Sequence, residues 1–273
     1  MIPQACITAW RSEAPWASDA QVEQDLVLSR ALIELFSDDE LRNEFALRGG
    51  TALSKLILRP ACRYSEDIDL VQTRPGPIGG AIDRIRARLD PWLGDPRRAR
   101  SQGNTTLLYR FESEIPPITP LRLKIEINTR EHFTVYGLEG VMSSVANGWF
   151  TGQAEIVTYA LEELLATKLR ALYQRRKGRD LFDLWICLDR DMADAERIAA
   201  CFERYMETED HTISRARFEA NLHAKRDDAA FLNDVGPLLT QDTDYDAKAA
   251  FSIVLDQLVS RLPGDPWRGD RKQ

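Results

Sequence analysis

The stretch Asp67-Ile68-Asp69-Leu70-Val71 limits the fold more than any other part of the chain. Its alternation has the period of a strand. In a strand, residues i and i+2 face the same side, so Asp67 and Asp69 present two carboxylates to one point. Asp67 stands sixteen residues after Thr51, in Arg48-Gly49-Gly50-Thr51-Ala52-Leu53-Ser54-Lys55. Two glycines ahead of a hydroxyl residue let a backbone turn approach a phosphate closely. A helix starting near Thr51 and covering Ala52 to Leu58 then points backbone N–H groups at that anion. The Thr51 hydroxyl adds a further donor. Hard oxygen ligands on one face, beside a phosphate cradle, suit Mg²⁺ that also holds triphosphate oxygens.

A third acid is available later. In Leu121-Arg122-Leu123-Lys124-Ile125-Glu126-Ile127 the apolar residues share one strand face, and Arg122, Lys124 and Glu126 share the other. Glu126 alongside Asp67 and Asp69 completes a three-carboxylate metal site. Taken singly, a Gly-Gly-Thr is a turn and a D-x-D is a solvated strand edge. In order, the glycine turn, hydroxyl, helix, D-x-D strand and later strand acid point to a nucleotidyltransferase palm.

The remaining pattern frames this core. Ser18-Asp19-Ala20-Gln21 reads as a capping box opening a helix that runs to about residue 36, and Ser37-Asp38-Asp39-Glu40 reads as a second box. Phe45-Ala46-Leu47 reads as a short strand. The block from Pro75 to Gly80 reads as a loop, and residues 81–90 as a helix burying Ile82, Ile85 and Leu89. Leu107 to Phe111 and Leu121 to Ile127 read as strands. A long helical region opens near Thr158, a second helix spans about Arg179 to Leu188, and helices continue to about residue 261 with a break at Gly236-Pro237. The tail from Pro263 reads as loose. Strands before about residue 155 and helices after it predict an α+β lobe over residues 1–155 and a helical lobe over residues 156–273.

Composition narrows the function classes. The 273 residues carry 36 Lys and Arg against 43 Asp and Glu, a net charge of −7 that excludes a uniformly basic nucleic-acid coat. A polyanion partner must meet a local basic patch. Lys168, Arg170, Arg175, Arg176, Lys177 and Arg179 form one cluster without an intervening acid. There Lys168 is the candidate phosphate-charge neutraliser, and Asp180 or Asp183 the acid that orients a basic group or serves the attacking hydroxyl. Arg84 to Arg100, with Trp92 beside it, forms another stretch suited to tracking a nucleic-acid backbone and stacking a base. Cys6, Cys62, Cys187 and Cys201 lack C-x-x-C spacing, so neither a zinc cage nor a disulfide framework is expected. The N-terminus lacks a signal-peptide pattern, and no apolar run is long enough to span a bilayer, so a cytoplasmic protein without membrane contact is expected.

These residues resemble the AbiEii/AbiGii family of nucleotidyltransferase toxins, which includes the MenT toxins. The resemblance runs through Arg48 to Lys55, then Arg63-Tyr64-Ser65-Glu66-Asp67-Ile68-Asp69-Leu70, Lys124 to Ile127, Lys168 to Leu172 and Arg179 to Leu184. It implies a DNA-polymerase-β-like nucleotidyltransferase core followed by a helical C-terminal lobe. It also implies Mg²⁺, a nucleoside triphosphate substrate, transfer to the 3′ end of tRNA that blocks translation, and an AbiEi-like antitoxin partner. Position by position, Gly49, Gly50 and Thr51 fall on the phosphate-binding motif, and Lys55, Ser65 and Arg175 are read beside it as further nucleotide-binding candidates. Asp67 and Asp69, with Glu126, fall on metal-binding positions, and Lys168 on the essential lysine. Asp180 and Asp183 both fit the late catalytic aspartate. The family often has Ser where Thr51 stands. Two other readings remain open: transfer to a protein or small molecule, and a non-catalytic nucleotide-binding module.

Overall fold

The computed structural model describes residues 2–101 and 103–269. The chain divides into two compact units, one comprising residues 1–159 with 238–242, the other residues 160–237 with 243–273.

The first unit opens with helices α1 (Gln4–Trp10), α2 (Asp19–Phe36) and α3 (Asp39–Glu44). The Ser18 hydroxyl accepts from the Gln21 N–H while the Gln21 side chain accepts from the Ser18 N–H, so the first capping box forms as expected. The second cap moves by one residue. Asp38, not Ser37, accepts from the Glu40 and Leu41 N–H groups, because the Ser37 hydroxyl turns back to the Ile33 carbonyl.

Strand β1 (Phe45–Arg48) runs into α4 (Gly49–Ala52), which continues as a π-helical turn, Leu53–Ile57. Then come β2 (Asp67–Gln72), α5 (Gly79–Leu93), β3 (Arg97–Ser101), β4 (Asn104–Glu112), β5 (Pro120–Asn128), β6 (Leu138–Ala146) and β7 (Thr151–Tyr159). They form one mixed seven-stranded sheet in the order β3-β4-β5-β2-β1-β7-β6. β1–β2 and β4–β5 pair antiparallel, whereas β2–β5 pair in parallel.

Three strands were not legible in the sequence. β3 is an arginine-rich edge with every residue exposed, and β6 buries only Val145. β7 holds Thr158, placed in a helix by the apolar pattern. Its hydroxyl bonds the Leu47 carbonyl across the sheet instead. Helix α2 packs on the sheet, and its buried Asp25 accepts hydrogen bonds from the indoles of Trp10 (2.8 Å) and Trp16 (2.9 Å) and an ion pair from Lys55 (2.6 Å). A buried carboxylate is tolerated where its lone pairs are filled in this way.

The second unit is helical: α6 (Leu161–Gln174), α7 (Gly178–Asp189), α8 (Ala195–Glu207), α9 (Arg215–His223), α10 (Ala229–Asn233) and α11 (Ala247–Gln257). Its core gathers Leu165, Leu169, Phe182, Phe202, Tyr205 and Phe218, all fully buried. The described part of the tail is held rather than loose. The Pro263 carbonyl accepts from the Arg215 N–H at 2.8 Å, and the Trp267 ring lies 4.8 Å from that of His223. Among the described residues no helix is long and apolar enough to cross a membrane.

Candidate active site

In the first unit, sheet register does what sequence spacing alone could not. Arg48 on β1 is paired with Asp69 on β2, and Asp69 with Glu126 on β5. One step along, Asp67 is paired with Lys124. Paired residues share a face, so Asp67, Asp69, Lys124 and Glu126 stand together opposite the buried Ile68, Leu70, Ile125 and Ile127.

Lys124 is the residue that sequence reasoning left without a role. Its ammonium lies 2.9 Å from Glu126 and 3.3 Å from Asp67. Burial acts to lower its pKa, but the bond to Glu126 and the charge of Asp67 outweigh that and raise it, so it stays protonated. The only signal was its i, i+2 spacing to Glu126. Its contact with Asp67 depends on the pairing of strands far apart in sequence.

The glycine turn is shaped by these side chains. Gly49 has φ +81°, and a Cβ there would overlap the Asp69 carboxylate and lie 3.0 Å from its Cγ. At Gly50 a Cβ would meet the Arg63 guanidinium and stand 3.2 Å from the Ser65 hydroxyl. No side chain caps the start of α4, which leaves its first N–H groups to an anion.

Three side chains expected at the nucleotide, Thr51, Ser65 and Lys55, are engaged within the protein. Thr51 is fully buried, and its hydroxyl bonds the Asp67 carbonyl and, at 2.9 Å, the Ser65 hydroxyl. Both hydroxyls therefore fasten α4 to the start of β2 rather than offering donors outward. The Lys55 ammonium is committed to Asp25.

The aspartate pair fits a divalent cation. Asp67 Oδ1 is buried and has no hydrogen-bond partner, an expensive state that a bound cation relieves. Among the described residues no three ligating side chains converge on a preformed metal cage. Lys124 bridges Glu126 and Asp67, so the three carboxylates expected from the sequence stand on one face without closing on a common point.

The second unit has its own charge network. The Lys168 ammonium lies 2.8 Å from Asp183 and 3.3 Å from Asp180, and Arg175 grips Asp180 through two bonds of 2.7 and 2.8 Å. Lys168, Asp180 and Asp183 are all buried, while the Arg175 side chain is half exposed. Burial acts to raise the Asp180 pKa, but Lys168 and Arg175 together pull it below the ordinary range. Both aspartates thus contact Lys168, and Asp180 also binds Arg175. Nearby, Lys225 donates to the Leu172 and Tyr173 carbonyls at the end of α6, and burial, aided by Arg176, pulls its pKa down to about 8.

The helical half of the basic stretch from Arg84 to Arg100 is spent on acids, whereas Arg97, Arg98 and Arg100 on β3 are exposed. Arg84 pairs with Glu40, Arg86 with Asp90 and Asp95, and Arg88 with Asp38. Trp92 donates to Glu34, and its ring is covered by Arg30 at 4.1 Å and meets Trp149 edge-on. It does not stand out as a base-stacking platform.

Residues 30–256 match the family model described as "Nucleotidyl transferase AbiEii toxin, Type IV TA system". No curated protein matches the chain. Among solved structures, the MenT4 nucleotidyltransferase toxin of Mycobacterium tuberculosis superposes with a TM-score of 0.60 at 16% identity, covering 97% of this chain and 92% of that one. JHP933 from Helicobacter pylori superposes with a TM-score of 0.54 at 18% identity, covering 89% and 92%. At such identities the likeness is one of fold.

Proposed function

The chain belongs to the AbiEii family of nucleotidyltransferase toxins of type IV toxin–antitoxin systems, and on that premise we propose that it transfers a nucleotide from a nucleoside triphosphate to RNA, with the 3′ end of tRNA as acceptor, using Mg²⁺. The observation that carries the site is the Asp67–Asp69 pair, with Asp67 Oδ1 buried and partnerless and Asp69 against the Gly49 turn. Asp67 and Asp69 are the residues to hold the cation. When bound, it supplies Lewis-acid stabilisation of the charge that develops on the triphosphate.

The protein's own contributions are positional. Thr51 and Ser65 lock α4 against β2, so the backbone N–H groups at the helix start are fixed relative to Asp67. Gly49 gives the Asp69 carboxylate room. Lys124 holds Asp67 and Glu126 in place and offsets their charge. Such preorganised groups supply most of the rate in phosphoryl chemistry, because they need not rearrange as charge moves. In the second unit, Lys168, Asp180 and Asp183 act as positioning residues that fix Arg175, the half-exposed member of the network and the one suited to phosphate. The family's type IV system implies an antitoxin, which we take to be a separately encoded AbiEi-like protein.

The experiment is incubation with each labelled triphosphate, Mg²⁺ and total RNA. The proposal expects RNase-sensitive label that is absent with Asp69→Ala. Label that survives RNase and migrates with protein or a small molecule would replace RNA as the acceptor.

A further inference from the structure

Register across β3, β4 and β5 joins Arg97, from the Arg84–Arg100 stretch, to three cations that lie in neither sequence cluster, Arg110, Arg122 and Lys124. Arg97 is paired with Leu108, Leu108 with Lys124, and Lys124 with Asp67. One row along, Arg110 is paired with Arg122, which lies two residues before Lys124. Paired residues share a face, so Arg97, Arg110, Arg122 and Lys124 all stand on the side that carries Asp67. The other side holds the buried Leu107, Tyr109, Leu123 and Ile125. Arg98 and Arg100 point to that second side, since their partners are Leu107 and Thr105.

Arg97 and Arg110 are exposed, and Arg122 is 54% exposed with Glu66 at 3.3 Å. Acids of β3–β5 on the same face are Glu112, beyond Arg110, and Glu126, and Lys124 holds Glu126 together with Asp67 at the β2 end of the row. Strands lie roughly 4.8 Å apart, so three steps from β2 to β3 carry the row about 14 Å from Asp67 to Arg97.

We infer that this face of β3–β4–β5 binds the sugar-phosphate backbone of single-stranded RNA leading to the Asp67–Asp69 pair, an inference that rests on the RNA-directed transferase reading above. Charge complementarity selects the occupant. A protein partner requires an apolar centre at its interface. Here the apolar side chains of the face are only Ala99, Leu108 and Pro120 among the described residues, spread over three strands. Among its described residues the face carries no aromatic ring to stack a base, as Tyr109 and Phe111 point the other way. Cations without aromatics bind phosphates and leave base identity unread.

The test is fluorescence anisotropy of a short fluorescein-labelled single-stranded RNA across a salt series, with wild type and the double variant Arg97→Ala/Arg110→Ala. Each lost phosphate contact lowers the slope of log K against log salt by about 0.7, so the double variant is expected to lose about 1.4. Nucleotide binding, measured with a non-hydrolysable triphosphate, is expected to be unchanged. An unaltered RNA slope, in a wild type that does label RNA, overturns the track and leaves the transferase reading standing. A wild type that neither binds nor labels RNA overturns that reading itself. Equal weakening of a polyglutamate peptide by the same variant overturns the assignment to nucleic acid.

Discussion

Gly49→Ala isolates the geometry of the site without removing a charge or a donor. Two costs arise. An L-residue at φ +81° occupies the left-handed region, at roughly 1–2 kcal/mol. The new methyl also overlaps the Asp69 carboxylate. Its distance of 3.0 Å from Cγ falls short of the 3.4 Å at which ordinary contact begins, so Cγ must retreat by at least 0.4 Å and the nearer oxygen by more. The backbone term alone lowers Tm by about 2–8 °C in a protein of this size. The displaced carboxylate is the larger functional effect, since a misplacement of about 1 Å at a reacting centre can cost on the order of 10²-fold in rate. The assay pairs thermal melts with transfer of labelled nucleotide below the melting range. Gly80→Ala, where a Cβ meets nothing within 4 Å, serves as control and is expected to keep both stability and rate. A Gly49→Ala protein that transfers at the wild-type rate would refute the claim that Asp69 works from the position this turn allows.

Lys168→Met is expected to destabilise by roughly 3–5 kcal/mol in urea melts, because it leaves Asp180 and Asp183 buried with less compensation. Adding Asp183→Asn should recover part of that loss, whereas simple additivity of the two losses would show that the residues are uncoupled. The Asp180 carboxyl, held below its ordinary pKa, contributes stability above the unfolded carboxylate value of about 3.9 and loses it as pH falls through its folded value. The stability gap between wild type and Asp180→Asn should therefore be widest near neutral pH and close under acid. A gap independent of pH would deny the charge network.

What could be read from the sequence was what local chemistry decides. Ser18 and Gln21 form a capping box from residues three apart, and the aspartate pair needs only the two-residue period of a strand. The spacing of Asp180 and Asp183 put both on one helix face, where both meet Lys168. What stayed hidden was set by pairing at long range. Lys124 reaches Asp67 only because β2 and β5 lie in parallel register. The Thr51 hydroxyl looked like a phosphate donor until β2 supplied the Asp67 carbonyl to accept from it. β3 and β6 are edge strands that bury almost nothing, so no hydrophobic alternation announced them, and hydrogen bonding to β4 and β7 alone defines them. The arginines of residues 84–88 read as a basic patch because two of their acid partners, Asp38 and Glu40, are brought to them by the fold, whereas Asp90 and Asp95 lie within the same stretch.

The central claim is that Asp67 and Asp69 make this chain a metal-dependent nucleotidyltransferase acting on RNA. The most direct measurement follows α-labelled triphosphate onto total RNA and quantifies pyrophosphate in the same reaction, for wild type with Mg²⁺, wild type with chelator, and Asp69→Ala. Wild type with Mg²⁺ is expected to release one pyrophosphate per nucleotide incorporated, and the other two reactions are expected to yield neither product. Equal incorporation by folded Asp69→Ala, or by wild type with the cation removed, would contradict it.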